Sequence, residues 1–278
     1  MNKLGDHYRT ALVTGASAGL GRAVAEMLLD EGVGVWGTAR DPARLPVRAG
    51  LTPVALDLDA DASVDAAFQK ADCDAGGFDL AVNNAGYGLY GPFVARDFDD
   101  WRRQLDAMLG RTLRLSHLVL RGMLARNRGA MVNVSSLAVD FPLPFMSGYN
   151  VVKAGLAAFS ESLMVEVAGT GVIVIDFRPG DYRTNFNQTM QANSGIHFPH
   201  EALPADRPRR AWAMIEKNIE TAPLPARAAA DLRRALRRHR SCTVRSGSLF
   251  QAWFAPLLAR MVPLCLRRAA TARYFGCS

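Results

Sequence analysis

The sequence predicts an α/β fold, a doubly wound parallel sheet with helices on both faces, and two observations carry that prediction. Short apolar runs alternate with helix-like stretches from residue 11 to residue 180, and the first run passes straight into a glycine-rich turn where a helix begins. The runs, in order, are 11–13 (ALV), 33–39 (VGVWGTA), 51–58 (LTPVALDL), 78–86 (FDLAVNNAG), 130–136 (AMVNVSS) and 171–180 (GVIVIDFRPG). Each is rich in Val, Ile or Leu and polar only at its ends, as strands buried on both faces of a parallel sheet must be. Helices are predicted over 20–31, 63–71, 99–127 and 149–168. One domain covers at least 8–184, with no internal repeat and no glycine-serine linker. Residues 185–225 hold several Pro and Asn with little periodicity and read as an insertion over the sheet edge. The expected organisation is a single domain over 1–225 and a basic, apolar, helical extension over 226–278.

The 278 residues are 49% apolar and 21% charged, which excludes a disordered chain. Lys and Arg number 33 against 26 Asp and Glu, but the excess is uneven: from Arg207 onward there are 15 basic and 3 acidic residues, so residues 1–206 are net acidic. Any basic partner surface therefore belongs to the last quarter. Cys73, Cys242, Cys265 and Cys277 lack the CxxC pairing and the neighbouring His of zinc or redox sites and are too sparse for a disulfide framework. The chain reads as metal-free and cytoplasmic. Its first ten residues lack the apolar run of a signal peptide.

The turn Thr14-Gly15-Ala16-Ser17-Ala18-Gly19-Leu20-Gly21 sits at the first strand-to-helix crossing. Glycines there let backbone amides approach a pyrophosphate, while the helix N-terminus adds partial positive charge. The plain alternative is a tight turn. The second strand ends in Ala39-Arg40, followed by Asp41-Pro42 as a helix cap and first position. An acid at the strand end would hold the ribose hydroxyls of NAD; Ala39 with Arg40 after it suits a 2′-phosphate instead, so NADP is favoured over NAD unless Arg40 is only a solvated surface residue. Asp57, with Leu58 at the end of the third run, either meets the adenine amine or caps the next helix.

Tyr149 and Lys153 are spaced i and i+4 and share one helix face. A nearby ammonium stabilises a phenolate and is expected to lower the tyrosine pKa toward working pH, making it an acid or base. Ser136, at the end of a strand, can point its hydroxyl at the same substrate oxygen. Tyr and Lys at this spacing also meet by chance, and it is their company that raises the signal.

Gly15 to Gly21, Asn83-Asn84-Ala85-Gly86, Ser136, Tyr149 with Lys153, and Pro179-Gly180 with Thr184 follow one another in the order and spacing of the short-chain dehydrogenase/reductase family, which the chain resembles over roughly 8–184. The resemblance implies a Rossmann fold with seven parallel strands in the order 3-2-1-4-5-6-7. It implies Tyr149 as catalytic acid/base, Lys153 on the nicotinamide ribose, and Ser136 on the carbonyl oxygen. It also implies a cofactor lying along Gly15, Ser17, Gly19, Leu20, Gly21, Arg40, Asp57, Leu58, Asn84, Ala85, Gly86, Pro179, Gly180 and Thr184. One position departs: the family's fourth catalytic residue, an asparagine that helps hold a water linking the lysine to solvent, falls on Met108. A thioether is only a weak acceptor. Either the proton relay is rerouted, or catalysis is lost and only cofactor binding remains.

The expected substrate is a lipophilic ketone or secondary alcohol. Phe141-Pro142-Leu143-Pro144-Phe145-Met146 runs into Tyr149, and 185–210, where the family carries its substrate lid, includes Phe186, Met190, Ile196 and Phe198. Pockets of Phe, Met and Leu select by apolar area; the bland alternative is that such residues only pack the loop. His197 and His200 read as lid or surface residues. NADP dependence would favour carbonyl reduction. In the last quarter, Arg233-Arg234, Arg237-Arg238 and Arg240 give a basic helix, and Leu249 to Leu266 an apolar stretch broken by Pro256 and Pro263. Residues 253, 257, 261 and 264 can share a helical stripe, but the prolines and Arg260 argue against a spanning helix. This segment either covers the pocket, packs on a second subunit, or lies on an anionic membrane surface. Nucleic acid is not an expected partner, since no recognition motif accompanies the arginines. An acidic acyl-carrier protein remains open as a partner, as in reductases of carrier-bound 3-oxoacyl chains. The family's habit implies a homodimer or homotetramer. A catalytically weak cofactor-binding scaffold is the competing reading.

Overall fold

The computed structural model describes residues 3–60, 63–193, 206–248, 250–254 and 261–277. Seven parallel strands form one sheet in the order β3-β2-β1-β4-β5-β6-β7. They are β1 (Thr10–Val13), β2 (Gly34–Ala39), β3 (Leu51–Ala55), β4 (Leu80–Asn83), β5 (Gly129–Val134), β6 (Val172–Pro179) and β7 (Cys242–Ser246). The strand order reverses between β1 and β4, which are hydrogen-bonded neighbours with Val13 opposite Val82. In such a sheet the crevice outside the carboxyl ends at the reversal is where ligands bind.

Alternate residues along the strands feed two cores, as the two-residue period of a strand requires. Ala11, Val13, Val35, Val82, Val132 and Ile175 pack on one face with Val24 and Leu28 of α1 (Gly19–Asp30). Leu12, Ala81, Met131 and Val174 pack on the other with Phe68 of α2 (Ser63–Ala75) and with Leu115, Val119 and Met123. The predicted helix over 99–127 is three pieces: α3 (Phe98–Leu105), a π turn at Asp106–Gly110, and α4 (Arg111–Ala125). The long helix α5 (Ser147–Glu166) follows β5.

The domain boundary expected at 225 needs correction, because the sheet takes its last strand from Cys242–Ser246, paired in parallel with Ile175–Pro179 of β6. CTVRS escapes detection as a strand because it lies at the sheet edge, partly exposed along four of its five residues, and needs no continuous apolar run. The helix before it, α8 (Pro225–Arg237), buries Ala228, Ala229, Leu232, Ala235 and Leu236 in the core that α1 shares. Its arginines are engaged as well: Arg233 and Arg237 both reach Glu31 at the end of α1, whose Oε2 also accepts the Leu4 amide. Burial pushes the Glu31 carboxyl up, but the Arg237 and Leu4 hydrogen bonds and the charges of Arg237 and Arg233 outweigh it and hold it below the ordinary range. The stretch read as weakly periodic holds two helices, α6 (Phe186–Asn193) and α7 (Asp206–Glu220). A final helix, α9, spans Leu264–Tyr274. Among the described residues no helix is long and apolar enough to cross a membrane, and no cluster of potential metal ligands occurs.

Candidate active site

A cavity of about 870 Å³ opens at the carboxyl ends of the central strands and runs from Arg40 to Tyr274. One end is built mainly from backbone. Gly15 and Gly19 adopt φ of +68° and +55°, which side chains disfavour. At Gly21 a Cβ would stand 2.3 Å from the Gly15 carbonyl oxygen, so only glycine lets α1 fold back on the turn. The Ala18 N-cap offers no side-chain cap, leaving the first-turn amides of α1 free to meet an anion. Asn84 laces this turn to β4: its Nδ2 donates to the Thr14 carbonyl at 2.9 Å, while Thr14 Oγ1 accepts from the Asn84 and Ala85 amides, each at 2.9 Å. Behind it, Asn83 Nδ2 donates to Asn133 Oδ1 and Ser116 Oγ, both at 2.8 Å, so the loop's polar anchor is fully buried and satisfied.

Gly15, Ser17, Gly19, Leu20, Arg40, Asp57, Leu58, Asn84, Ala85, Gly86, Ser136, Tyr149, Lys153, Pro179, Gly180 and Thr184 all line the cavity. Gly21 does not; it supports the turn from behind. Arg44 was not foreseen. It closes a 3-10 turn (Pro42–Arg44) capped by Asp41, whose Oδ1 accepts the Ala43 amide at 3.0 Å, and it lines the cavity with Arg40. The Asp41-Pro42 cap was the available signal, since it coils the chain so that the residue four after Arg40 returns to the same edge. Asp57 Oδ1 accepts the Asp59 amide at 3.0 Å. The cradle thus fits a dinucleotide, with glycine backbone where a pyrophosphate needs close approach, and the guanidinium groups of Arg40 and Arg44 line its far end beyond β2.

At the other end, Ser136 caps a 3-10 turn, its Oγ accepting the Ala138 amide at 3.1 Å. Lys153 Nζ donates to the Val134 carbonyl at 2.7 Å and stands 5.5 Å from the Tyr149 ring centroid. Gly148 lets the start of α5 pack against α3, because a Cβ there would stand 2.4 Å from Gln104 Oε1 and 2.8 Å from Trp101. Burial lowers the Lys153 ammonium to about 8, opposed by the Asp176 carboxyl. The Tyr149 phenol is pushed up to about 12, by burial first and by the Asp181 charge, against a hydrogen bond with Ser136 that lowers it. The expected lowering of this tyrosine is therefore not what the protein alone produces; burial outweighs the Ser136 hydrogen bond.

Met108 lies in the π turn, 1% exposed, and packs with Val152, Leu156 and Tyr149. Its Sδ accepts the Tyr87 amide at 3.4 Å, and its Cε stands 2.6 Å from where a Gly86 Cβ would be. Phe141, Leu143, Met146, Phe186, Met190, Ile215, Phe250 and Tyr274 form the apolar wall. Pro142, Pro144 and Phe145 are not on it; Phe145 takes φ of +63° and packs its ring 5.9 Å from that of Tyr90. Ile196, His197, Phe198 and His200 lie outside the described residues, as do Leu249, Pro256, Leu257, Leu258 and Arg260. From the last segment, Phe250, Gln251, Val262, Arg267 and Thr271 line the cavity, so this part of the chain covers the pocket. Sequence reasoning missed Asp181 and Gln251, a carboxyl and an amide that meet on this side, where Asn185, Asn187, Asn218 and Arg267 add further polar lining to the apolar wall.

A family profile described as short chain dehydrogenase matches residues 9–195. The chain is 32% identical over 187 residues to a 3-oxoacyl-acyl-carrier-protein reductase of Vibrio cholerae, covering 66% of this chain and 77% of that protein. It is 34% identical over 177 residues to a probable NADP-dependent dehydrogenase of Haemophilus influenzae, covering 62% and 70% respectively. A short-chain dehydrogenase from Streptomyces avermitilis superposes with a TM-score of 0.77 at 26% identity, over 96% of this chain and 95% of that one.

Proposed function

The chain belongs to the short-chain dehydrogenase/reductase family of oxidoreductases, and we propose that it reduces a lipophilic ketone to a secondary alcohol at the expense of NADPH. The observation that carries this reading is the convergence of Ser136, Tyr149 and Lys153 on the same cavity as the glycine cradle. NADP(H), when bound, supplies the hydride. The chain's own residues do the rest. Gly15, Gly19 and the free amides of α1 hold a pyrophosphate; Arg40 and Arg44 take the 2′-phosphate that Ala39, lacking a carboxylate, does not repel. Ser136 donates to the carbonyl oxygen and polarises it. Tyr149, kept protonated by burial, gives its proton to that oxygen as negative charge develops, and Lys153, charged below about 8, stabilises the phenolate left behind. The apolar wall excludes water and holds the substrate body. The same machinery runs in reverse for an alcohol. With β7 at the sheet edge and half-exposed, assembly as a homodimer or homotetramer fits this reading.

The test is NADPH oxidation with a panel of lipophilic ketones, for wild type and Tyr149→Phe. The substitution is expected to lower turnover about 10²–10⁴-fold, the range for loss of a positioned acid. Tight NADPH binding with no turnover on any ketone would instead support the scaffold reading, which the buried thioether at Met108 favours. A carrier-linked 3-oxoacyl substrate is a second enzymatic reading, suggested by the Vibrio cholerae relative; it predicts far faster turnover of a carrier-bound 3-oxoacyl chain than of a free ketone.

A further inference from the structure

The loop from β6 to Thr184 carries a carboxyl that the reading above does not use. Asp181 follows Gly180, whose amide donates to the Ser246 carbonyl at 2.7 Å, and precedes Tyr182, whose hydroxyl lies 2.6 Å from Ser246 Oγ. The Arg183 amide donates to the Pro223 carbonyl at 3.0 Å. The loop is thus fastened on both sides of Asp181. Gln251 Nε2 donates to Asp181 Oδ2 at 2.6 Å, and the Gln251 backbone is held in turn by Ser248 Oγ at 3.2 Å. Gly180 makes room for this arrangement, since a Cβ there would stand 2.9 Å from Gln251 Oε1. Among the described residues Oδ1 of Asp181 makes no hydrogen bond, and Asp181 lines the same cavity as Tyr149. Its charge is felt at the tyrosine, where it opposes ionisation.

A carboxyl held by Gln251 on a fastened loop, with its other oxygen facing a largely apolar cavity, has a price unless a donor meets it. Resting on the proposed ketone reduction, we propose that Asp181 is a specificity-determining residue. Its free oxygen receives a hydroxyl or protonated amine close to the reacting carbon, so the preferred substrates are 2-hydroxy- or 2-amino-ketones with a lipophilic body, or the matching diols and amino alcohols. A donor from the substrate satisfies Oδ1 and draws the Asp181 charge away from Tyr149. A plain ketone leaves the oxygen unpaired. Sites built to bond a substrate donor discriminate against analogues lacking it far more strongly than apolar walls discriminate between sizes.

The experiment compares kcat/KM for 2-hydroxyacetophenone and acetophenone, with NADPH, in wild type, Asp181→Asn and Asp181→Leu. Wild type is expected to favour the hydroxyketone by at least about 10-fold, the worth of about 1.4 kcal/mol, and Asp181→Leu to bring the ratio toward one. Asp181→Asn, which keeps the shape and an oxygen, serves if the leucine variant does not fold and should retain an intermediate ratio. A misfolding defect slows both substrates and leaves the ratio alone. A wild-type ratio near one, or an unchanged ratio in the folded variants, overturns the inference. Calorimetric binding of 1-phenyl-1,2-ethanediol and 1-phenylethanol to NADP⁺-loaded Tyr149→Phe protein, with and without Asp181→Leu, separates this inference from the one beneath it. If neither ketone turns over but the diol binds more tightly only when Asp181 is present, ketone reduction fails and the role of Asp181 stands. Equal binding of diol and alcohol sinks it.

Discussion

The two ends of the cavity are made from different material. The cradle end is backbone: Gly15 and Gly19 in left-handed conformations, Gly21 behind them, and Asn84 bound to main-chain atoms. The substrate end is side chains drawn from α6, α7, residues 250–254 and α9, elements far apart in sequence. The difference teaches where change is tolerated. A backbone site accepts almost no substitution, because an added Cβ collides with the Gly15 carbonyl at Gly21 and is strained by positive φ at Gly15 and Gly19, whereas a side-chain wall can be rebuilt residue by residue while the fold persists.

That contrast can be broken most sharply at Gly21. Gly21→Ala should abolish measurable cofactor binding, at least about 100-fold by fluorescence titration, and cost about 1–3 kcal/mol of stability through overpacking; a variant that binds normally would mean the turn is softer than it looks. Next, replacing Arg40 and Arg44 together by Ser should weaken NADP⁺ about 30- to 150-fold against NAD⁺, two guanidinium-phosphate contacts at about 1–1.5 kcal/mol each. An unchanged preference would remove both residues from the cofactor site. The pH dependence probes the other end. Lys153 is charged below about 8 and loses its charge above it, so ketone reduction should hold steady through neutral pH and decline as pH rises through about 8. A decline that begins two units higher would mean the bound state restores the ordinary lysine value. Smallest is Met108→Asn. An amide that donates and accepts replaces a weak acceptor at a buried position, and turnover should rise a few-fold if the proton relay limits the rate; no gain would mean it does not.

The legible part of the molecule follows the same division. That Gly15, Gly19, Tyr149 and Lys153 share one cavity was readable because their placement depends on local spacing, a turn or one helix face, and spacing survives in a linear text. Five strands were readable because burial on both faces leaves an apolar run, and the exposed edge strand Leu51–Ala55 because Leu56 and Leu58 prolong its run. The edge strand Cys242–Ser246 was not, since partial exposure removes that run. Nor were α6 and α7, where Asn, Gln and a proline at Pro208 blur the period, although proline is at home in a first helical turn. Asp181 and Gln251 escaped because their meeting spans 70 residues and rests on Gly180 being small, which no local pattern encodes.

Glu31 has a consequence for how the molecule comes into being. Its carboxylate closes the end of α1 against Arg237, 206 positions later, and Tyr8 meets His239 across 231 positions. A ribosome releases the first strand and its helix long before it supplies the helix that covers them. Until α8 emerges, the core that Val24 and Leu28 share lacks Ala228, Ala229, Leu232, Ala235 and Leu236, so part of this apolar face is uncovered through most of synthesis. Contacts of such long separation also slow refolding of the complete chain. A Glu31→Gln variant, which keeps the shape and loses the charge, should therefore show its effect in the rate at which α8 dissociates from α1 during unfolding.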